Sequence, residues 1–271
     1  MRIYLLIVLL ILPFSTVAEI FQWLDAEGQS HFSDKPQPGA SLFQVDAGYS
    51  FYQVKKIYDG DTILLSNGQK IRFLGVNTPE VEGRNKSLQA GGNEAKQWLE
   101  TQLKNTTVRL DKDVEKKDKY GRTLAHVFTQ DKLHINLELV KQGFASVNIY
   151  PPNLKYVAAL VAAEQQAEYK HLGIWGYQEY KLKPVADIKG GLFKGWQRVT
   201  GKVKNIRHTR KSIYLNFSDN FSLRILKKSL SYFPPLDSYQ GKFVEVNGWI
   251  NRRKGKYSMF IRHNSAIKII Q

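Results

Sequence analysis

Three short strand-like runs between Tyr52 and Leu74, broken by Asp59-Gly60 and by Ser66-Asn67-Gly68, constrain the fold of this chain more than any other feature. An Asn-Gly pair tolerates the positive φ values of a two-residue hairpin turn, so it joins adjacent antiparallel strands. Downstream, Ala95, Trp98, Leu99 and Leu103 recur at helical spacing and predict a helix from about Asn93 to Leu103. Strands are expected near Val108 to Lys112 and Thr123 to Thr129. A short helix from Ile135 to Gln142 should end at Gly143. A last helix, from about Leu154 to His171, places Val157, Leu160, Val161 and Ala167 on a core face. Five short strands with helices packed outside describe a mainly β, α+β unit: a closed five-stranded barrel of the oligonucleotide-binding (OB) type with about three helices, over residues 50–176.

The 271 residues exceed the usual size of one domain, which points to a second folded unit. Residues 177–193, with Pro184 and Gly190-Gly191, read as a linker. Strand-like runs follow at Val199 to Ile206, Ser212 to Phe217, Phe221 to Leu226, Lys242 to Ile250, Tyr257 to Arg262 and Ala266 to Ile270. They predict an all-β, OB-like domain over 194–271.

Charge separates the two halves. The formal net charge is +16, and residues 189–271 hold 18 Lys/Arg against 3 Asp/Glu. Such a segregated basic surface calls for a polyanionic partner, DNA and/or RNA first, with anionic lipid or polysaccharide as other takers. Arg207, Arg210, Lys211, Arg252, Arg253 and Lys254 are the candidate nucleic-acid-binding cations, interleaved with Trp196, Tyr214, Trp249 and Phe260.

At the N-terminus, Arg2 precedes an apolar run from Ile3 to Phe14 and the small residues Ser15 to Ala18. This reads as a signal peptide over 1–18, cleaved after Ala18, and implies a periplasmic or secreted protein. The run is too short to span roughly 30 Å of hydrocarbon, so no stable membrane insertion is expected after cleavage. Residues 19–48 read as a small β-hairpin leaving through Pro36 and Pro38, and resemble a short domain of unknown function found in bacterial envelope proteins. His31 there reads as a strand residue rather than a metal ligand. The absence of cysteine excludes disulfides, thiolate metal sites and a cysteine nucleophile.

Four features with chemical potential occur in order: Asp59-Gly60-Asp61-Thr62, Arg72, Asn77-Thr78-Pro79-Glu80, and Asp118-Lys119-Tyr120-Gly121-Arg122. Cleaving a phosphodiester requires water to attack an anionic phosphorus while negative charge builds on its oxygens. Arg72, at a strand end, and Arg122, after a glycine turn, are placed to offer planar guanidinium forks to those oxygens. Asp61 supplies a hard oxygen ligand, joined by the Asn77 side-chain oxygen and the Thr78 carbonyl, a set suited to calcium. Glu80, after the rigid Thr78-Pro79 step, can accept a proton from the attacking water or orient it.

Together, and with Leu139-Val140-Lys141-Gln142-Gly143 and Gly173-Ile174-Trp175, these motifs resemble the staphylococcal nuclease (thermonuclease) family from about Tyr52 to Trp175. The resemblance implies a calcium-dependent phosphodiesterase, an endonuclease acting on DNA and/or RNA with little sequence specificity, and catalytic roles for Arg72, Glu80 and Arg122. It also implies that Lys119 and Tyr120 contact a neighbouring phosphate. Tyr150 is the nearest candidate for a later substrate-contacting tyrosine. Where the family commonly has aspartate this chain has Asn77, which implies weaker calcium binding and tolerance of other divalent ions. The competing expectations are a non-catalytic nucleic-acid-binding protein and an envelope interaction module working through the basic domain.

Overall fold

The computed structural model describes residues 20–25, 28–43, 50–83, 87–188 and 195–270, so the signal-peptide reading of 1–18 lies outside the described residues. The chain divides into two compact units, Met1–Tyr49 and Ser50–Gln271. In the first, β1 (Ile20–Leu24) pairs with β2 (Ser30–Ser33), the expected hairpin. The proline segment does not simply leave the hairpin: it returns the chain as β3 (Ser41–Phe43) along the other edge of β1. His31 stacks on Trp23 and holds Asp25 Oδ2 at 2.7 Å, contacts that suit a packed strand residue.

The second unit opens with the barrel. Strands β4 (Phe51–Asp59), β5 (Thr62–Leu65) and β6 (Lys70–Phe73) form an antiparallel meander. Then come β7 (Val76–Asn77), α1 (Gly92–Leu103), β8 (Thr107–Asp111) and β9 (Thr123–Thr129). The barrel closes in the order β4-β5-β6-β9-β8. Closure is possible because β4 is long and irregular: its start pairs with β8 and its remainder, across two register shifts, with β5. Side chains of period two, Ile63, Leu65, Ile71 and Phe73, fill the interior. Ala95, Leu99 and Leu103 of α1 are buried, as their helical spacing requires. After α2 (Ile135–Lys141), β10 (Ser146–Val147) and α3 (Val157–Tyr169) complete this half, and β10 pairs with β7. Each fully buried aliphatic contributes roughly 1.5–3 kcal/mol of transfer free energy, which is what holds the helices against the barrel.

The expected linker is partly built into the fold. Within it, β11 (Lys183–Pro184) runs parallel to β12 (Gly195–Lys202), and Val185 and Ile188 are buried in the second core. The expected strand over Val199 to Ile206 is two, β12 and β13 (Asn205–His208). Next come β14 (Ser212–Asn216), β15 (Phe221–Leu226), β16 (Phe243–Arg253), β17 (Lys256–Ile261) and β18 (Ile267–Ile270). The main path of the sheet is β11-β12-β16-β17-β15-β14-β13, so β12 and β13, consecutive in sequence, flank the remaining strands. Besides the two-residue β11–β12 contact, β15 runs parallel to β17, which matches the pairing of β6 with β9 in the first barrel. The second domain thus repeats the OB strand order of the first.

The closed barrel and the half-barrel of the second domain are fastened by Arg198. Its guanidinium, nearly inaccessible to solvent, bonds Glu245 beside it (Nε at 3.0 Å) and Glu168 on α3, and covers the ring of Trp175 at 5.1 Å. Trp175, Tyr180 and Trp196 pack edge to face or tilted around it. Arg198, and Trp196, which the sequence placed among the aromatics interleaved with the basic residues, are therefore structural here.

Candidate active site

Gly60 makes the site possible. A Cβ on it would lie 2.7 Å from Thr78 Cγ2 and 2.8 Å from Ala95 Cβ, so only glycine lets the β4–β5 turn press against the segment after β7 and against α1. That turn buries Asp61 beside Thr78. Oδ2 of Asp61 accepts the Thr78 N–H at 3.0 Å and pairs with Arg72 Nη2 at 3.0 Å; its Oδ1 accepts the Thr62 hydroxyl. Arg72 is thereby held as a fork, with Nη1 donating to the carbonyls of Phe73 (2.7 Å) and Val76 (3.0 Å). The same Nη2 lies 3.4 Å from Asn77 Oδ1.

Asn77 is set by the β7–β10 pair, and its Nδ2 donates to the Thr78 carbonyl at 3.3 Å. Glu80 is fixed through its backbone: its N–H donates to Gln89 Oε1 at 3.0 Å, and Gln89 N–H returns to its carbonyl at 2.9 Å. Gly92, at the start of α1, admits that carbonyl, since a Cβ there would stand 2.5 Å from it. The loop between β8 and β9 brings the remaining cation. Asp118 accepts the backbone N–H groups of Tyr120 and Arg122 and the Arg122 Nε at 2.7 Å, which aims the Nη edge, with its four further donors, away from the turn. Burial pushes the Asp118 carboxyl up, but Arg122 and these N–H groups outweigh it, and its pKa lies below the ordinary carboxylate value.

These elements enclose a cleft of about 1120 Å³. Asp61, Arg72, Asn77, Glu80, Lys119, Tyr120, Arg122 and Tyr150, all expected from sequence, line it; Thr78 lies buried beneath it. Glu82, the neighbour most easily confused with Glu80, is not among the described residues lining the cleft. Lys119 and Arg122 both approach the ring of Tyr120, at 4.9 and 5.6 Å. The basic candidates of the second domain are elsewhere. Arg207 on β13 covers Tyr214 on β14, Arg210 and Lys211 occupy the turn between them, and Arg252, Arg253 and Lys254 form the exposed β16–β17 hairpin end. None of the six lines the cleft.

Sequence reading missed three contributions. Asp59 adds a second carboxylate to the cleft wall and caps the Asp61 N–H at 3.2 Å. Glu115, Lys116 and Lys117 line the cleft too, with Asn153 bonding the Glu115 backbone; their place in one charged run with Asp118 was the available signal. Trp249, expected only among the aromatics of the basic domain, reaches the cleft from there, 127 positions after Arg122 in the numbering.

Among the described residues no three His, Cys, Asp or Glu gather as a ligand cluster. The donors suited to a hard cation are of mixed type: Asp61 and Asn77 present oxygens to one common point, now held by Arg72 Nη2, with the Thr78 carbonyl adjacent. Oxygen donors without nitrogen or sulfur fit calcium or a similar hard ion.

Residues 70–177 match the family described as staphylococcal nuclease homologue, and residues 7–45 match a domain of unknown function, DUF4124. The thermonuclease of Staphylococcus intermedius is 39% identical over 169 residues, covering 61% of this chain and 94% of its own. The thermonuclease of Staphylococcus hyicus is 36% identical over 147 residues, 53% and 86% of the two chains. An endonuclease of Bacillus subtilis, YncB, is 36% identical over 127 residues, 45% and 60%.

Proposed function

This chain belongs to the staphylococcal nuclease family, and from that premise we propose that it is a metal-dependent nuclease hydrolysing phosphodiester bonds of DNA and/or RNA with little sequence specificity. The observation that carries the reading is the convergence of Arg72, Arg122 and Glu80 with Asp61 and Asn77 on one cleft. Arg72 and Arg122 bind non-bridging phosphate oxygens and stabilise the charge that builds there during attack. Glu80 orients a water molecule towards phosphorus and takes up its proton. Lys119 and Tyr120 hold the adjacent phosphate, and Tyr150 borders the flanking nucleotide. Asp61, Asn77 and the Thr78 carbonyl would hold Ca²⁺, which supplies positive charge beside the scissile phosphate. Asn77 in place of a carboxylate lowers ligand charge and so affinity, admitting other divalent ions.

Export, with cleavage after Ala18, is part of this reading and rests on the apolar run Ile3 to Phe14. The basic hairpin ends of the second barrel retain polyanionic substrate without reading its sequence. The test is degradation of RNA and of single-stranded and duplex DNA by the full chain, with calcium and with chelator, beside Glu80→Gln. Calcium-dependent cleavage that collapses in the variant supports the reading; intact DNA and RNA under every divalent ion tried overturn it.

A further inference from the structure

The cleft continues beyond the first barrel. Trp249, on β16, lines it together with Asn148 and Tyr150, and these three residues also line an adjoining cavity of about 420 Å³ at the junction of the barrels. The second barrel supplies most of that cavity: Asn247, Trp249 and Asn251 from β16, and Arg262 beyond β17. Arg262 is stacked between Tyr150 of the first barrel and Phe260 of the second, with ring centroids at 4.4 and 4.3 Å, which ties the floor of the cavity to the substrate cleft. The Arg198–Glu168 ion pair and the Trp175–Trp196 contact fix the two walls relative to each other.

The lining has a particular chemistry. It combines a half-exposed indole, amide side chains that both donate and accept, and one guanidinium, and no Asp or Glu is among the described residues that line it. A ligand suited to it is flat, uncharged, edged with donors and acceptors, and attached to phosphate. An unpaired nucleobase has these properties, and a cavity of this volume sits at the small end of the range for ligand pockets, roughly 300–1,000 Å³. A base held in a duplex keeps its edges paired and cannot enter.

We propose that this cavity is a subsite for one unpaired nucleobase of the substrate strand, with Trp249 as its stacking platform and Asn247 and Asn251 at the base edge. The second barrel is then a specificity element that favours single-stranded or locally opened substrate, rather than only a basic tether. The inference rests on the nuclease reading for the identity of the strand in the cleft.

The test reads binding without cleavage. The full chain, in chelator, is titrated with fluorescently labelled twelve-nucleotide single strands, either intact or carrying one abasic position moved along the strand. Loss of the base at one position is expected to weaken Kd about tenfold in the unmodified protein, the scale of one base–aromatic stack. Trp249→Ala should bind intact and abasic strands equally, and Trp249→Phe should restore the difference. Equal affinity for intact and abasic strands at every position, or discrimination that persists in folded Trp249→Ala, overturns the subsite. Asn251→Ala serves if Trp249→Ala does not fold, and retention of the full discrimination there has the same meaning. The nuclease reading fails separately, by absence of cleavage when divalent ions are restored.

Discussion

Arg72 Nη2 stands 3.0 Å from Asp61 Oδ2, so the cation expected to meet phosphate is already tied to the carboxylate expected to meet metal. Both groups are largely buried, and the fork is fixed by two further carbonyls. Arg72→Lys keeps the charge but cannot satisfy carbonyls and carboxylate in one plane. We expect kcat/KM for DNA cleavage to fall by about 100-fold, comparable with loss of one transition-state donor. Activity within a few-fold of the unmodified protein would show that charge alone suffices.

Asn77→Asp restores the missing ligand charge beside Asp61. Calorimetric titration should show tighter Ca²⁺ binding, by about tenfold, and narrower choice among divalent ions. Unchanged affinity would exclude Asn77 as a ligand.

Gly60→Ala tests the packing that brings Asp61 to Thr78. The added methyl collides with Thr78 Cγ2 and Ala95 Cβ, and overpacking of this kind costs about 1–3 kcal/mol. Urea unfolding should register that loss. Cleavage should fall further than stability, because Thr78 is displaced with its carbonyl.

Stability should respond to pH in two opposed limbs. Burial pulls His126 down to about 4 and His134 to about 3, and His126 Nδ1 lies 3.1 Å from His134 Nε2. Between pH 6.5 and about 3 the unfolded chain therefore binds more protons than the folded one, and stability is lost as pH falls through that window. Burial pushes Glu164 up to about 8, although its carboxyl accepts the Val147 N–H. Between its ordinary value near 4.5 and about 8 the folded chain binds more protons, so this contribution is lost as pH rises. Glu164→Gln should flatten the alkaline limb of the urea midpoint against pH and leave the acid limb in place.

Replacing Arg252, Arg253 and Lys254 by alanine tests the basic hairpin end without disturbing a core. Removing residues 190–271 would instead strip Val185 and Ile188 of their partners. In chelator, the slope of log affinity against log salt for single-stranded DNA should become shallower by about 2. An unchanged slope would exclude this hairpin from phosphate contact.

The chain's own pattern determined much of this. Turn residues at Asp59-Gly60 and Asn67-Gly68 and the alternation in Ile63, Leu65, Ile71 and Phe73 dictate a meander, because local φ preferences and side-chain period act within a few residues. The ordered motifs likewise named Asp61, Arg72, Asn77, Glu80, Lys119, Tyr120 and Arg122, which line the first barrel's cleft, though not the roles of Asp59 and Glu115 there. Other features depended on distant partners. Glu164 sits on the buried face of α3 although its side chain alone reads as surface, because the Val147 N–H meets it there. Arg198 is buried rather than solvated because Glu245 on the neighbouring strand and Glu168 across the junction both meet it. Trp249 became part of the cleft wall for the same reason: the docking of two separately patterned barrels decides it, and no periodicity within either barrel encodes how they dock.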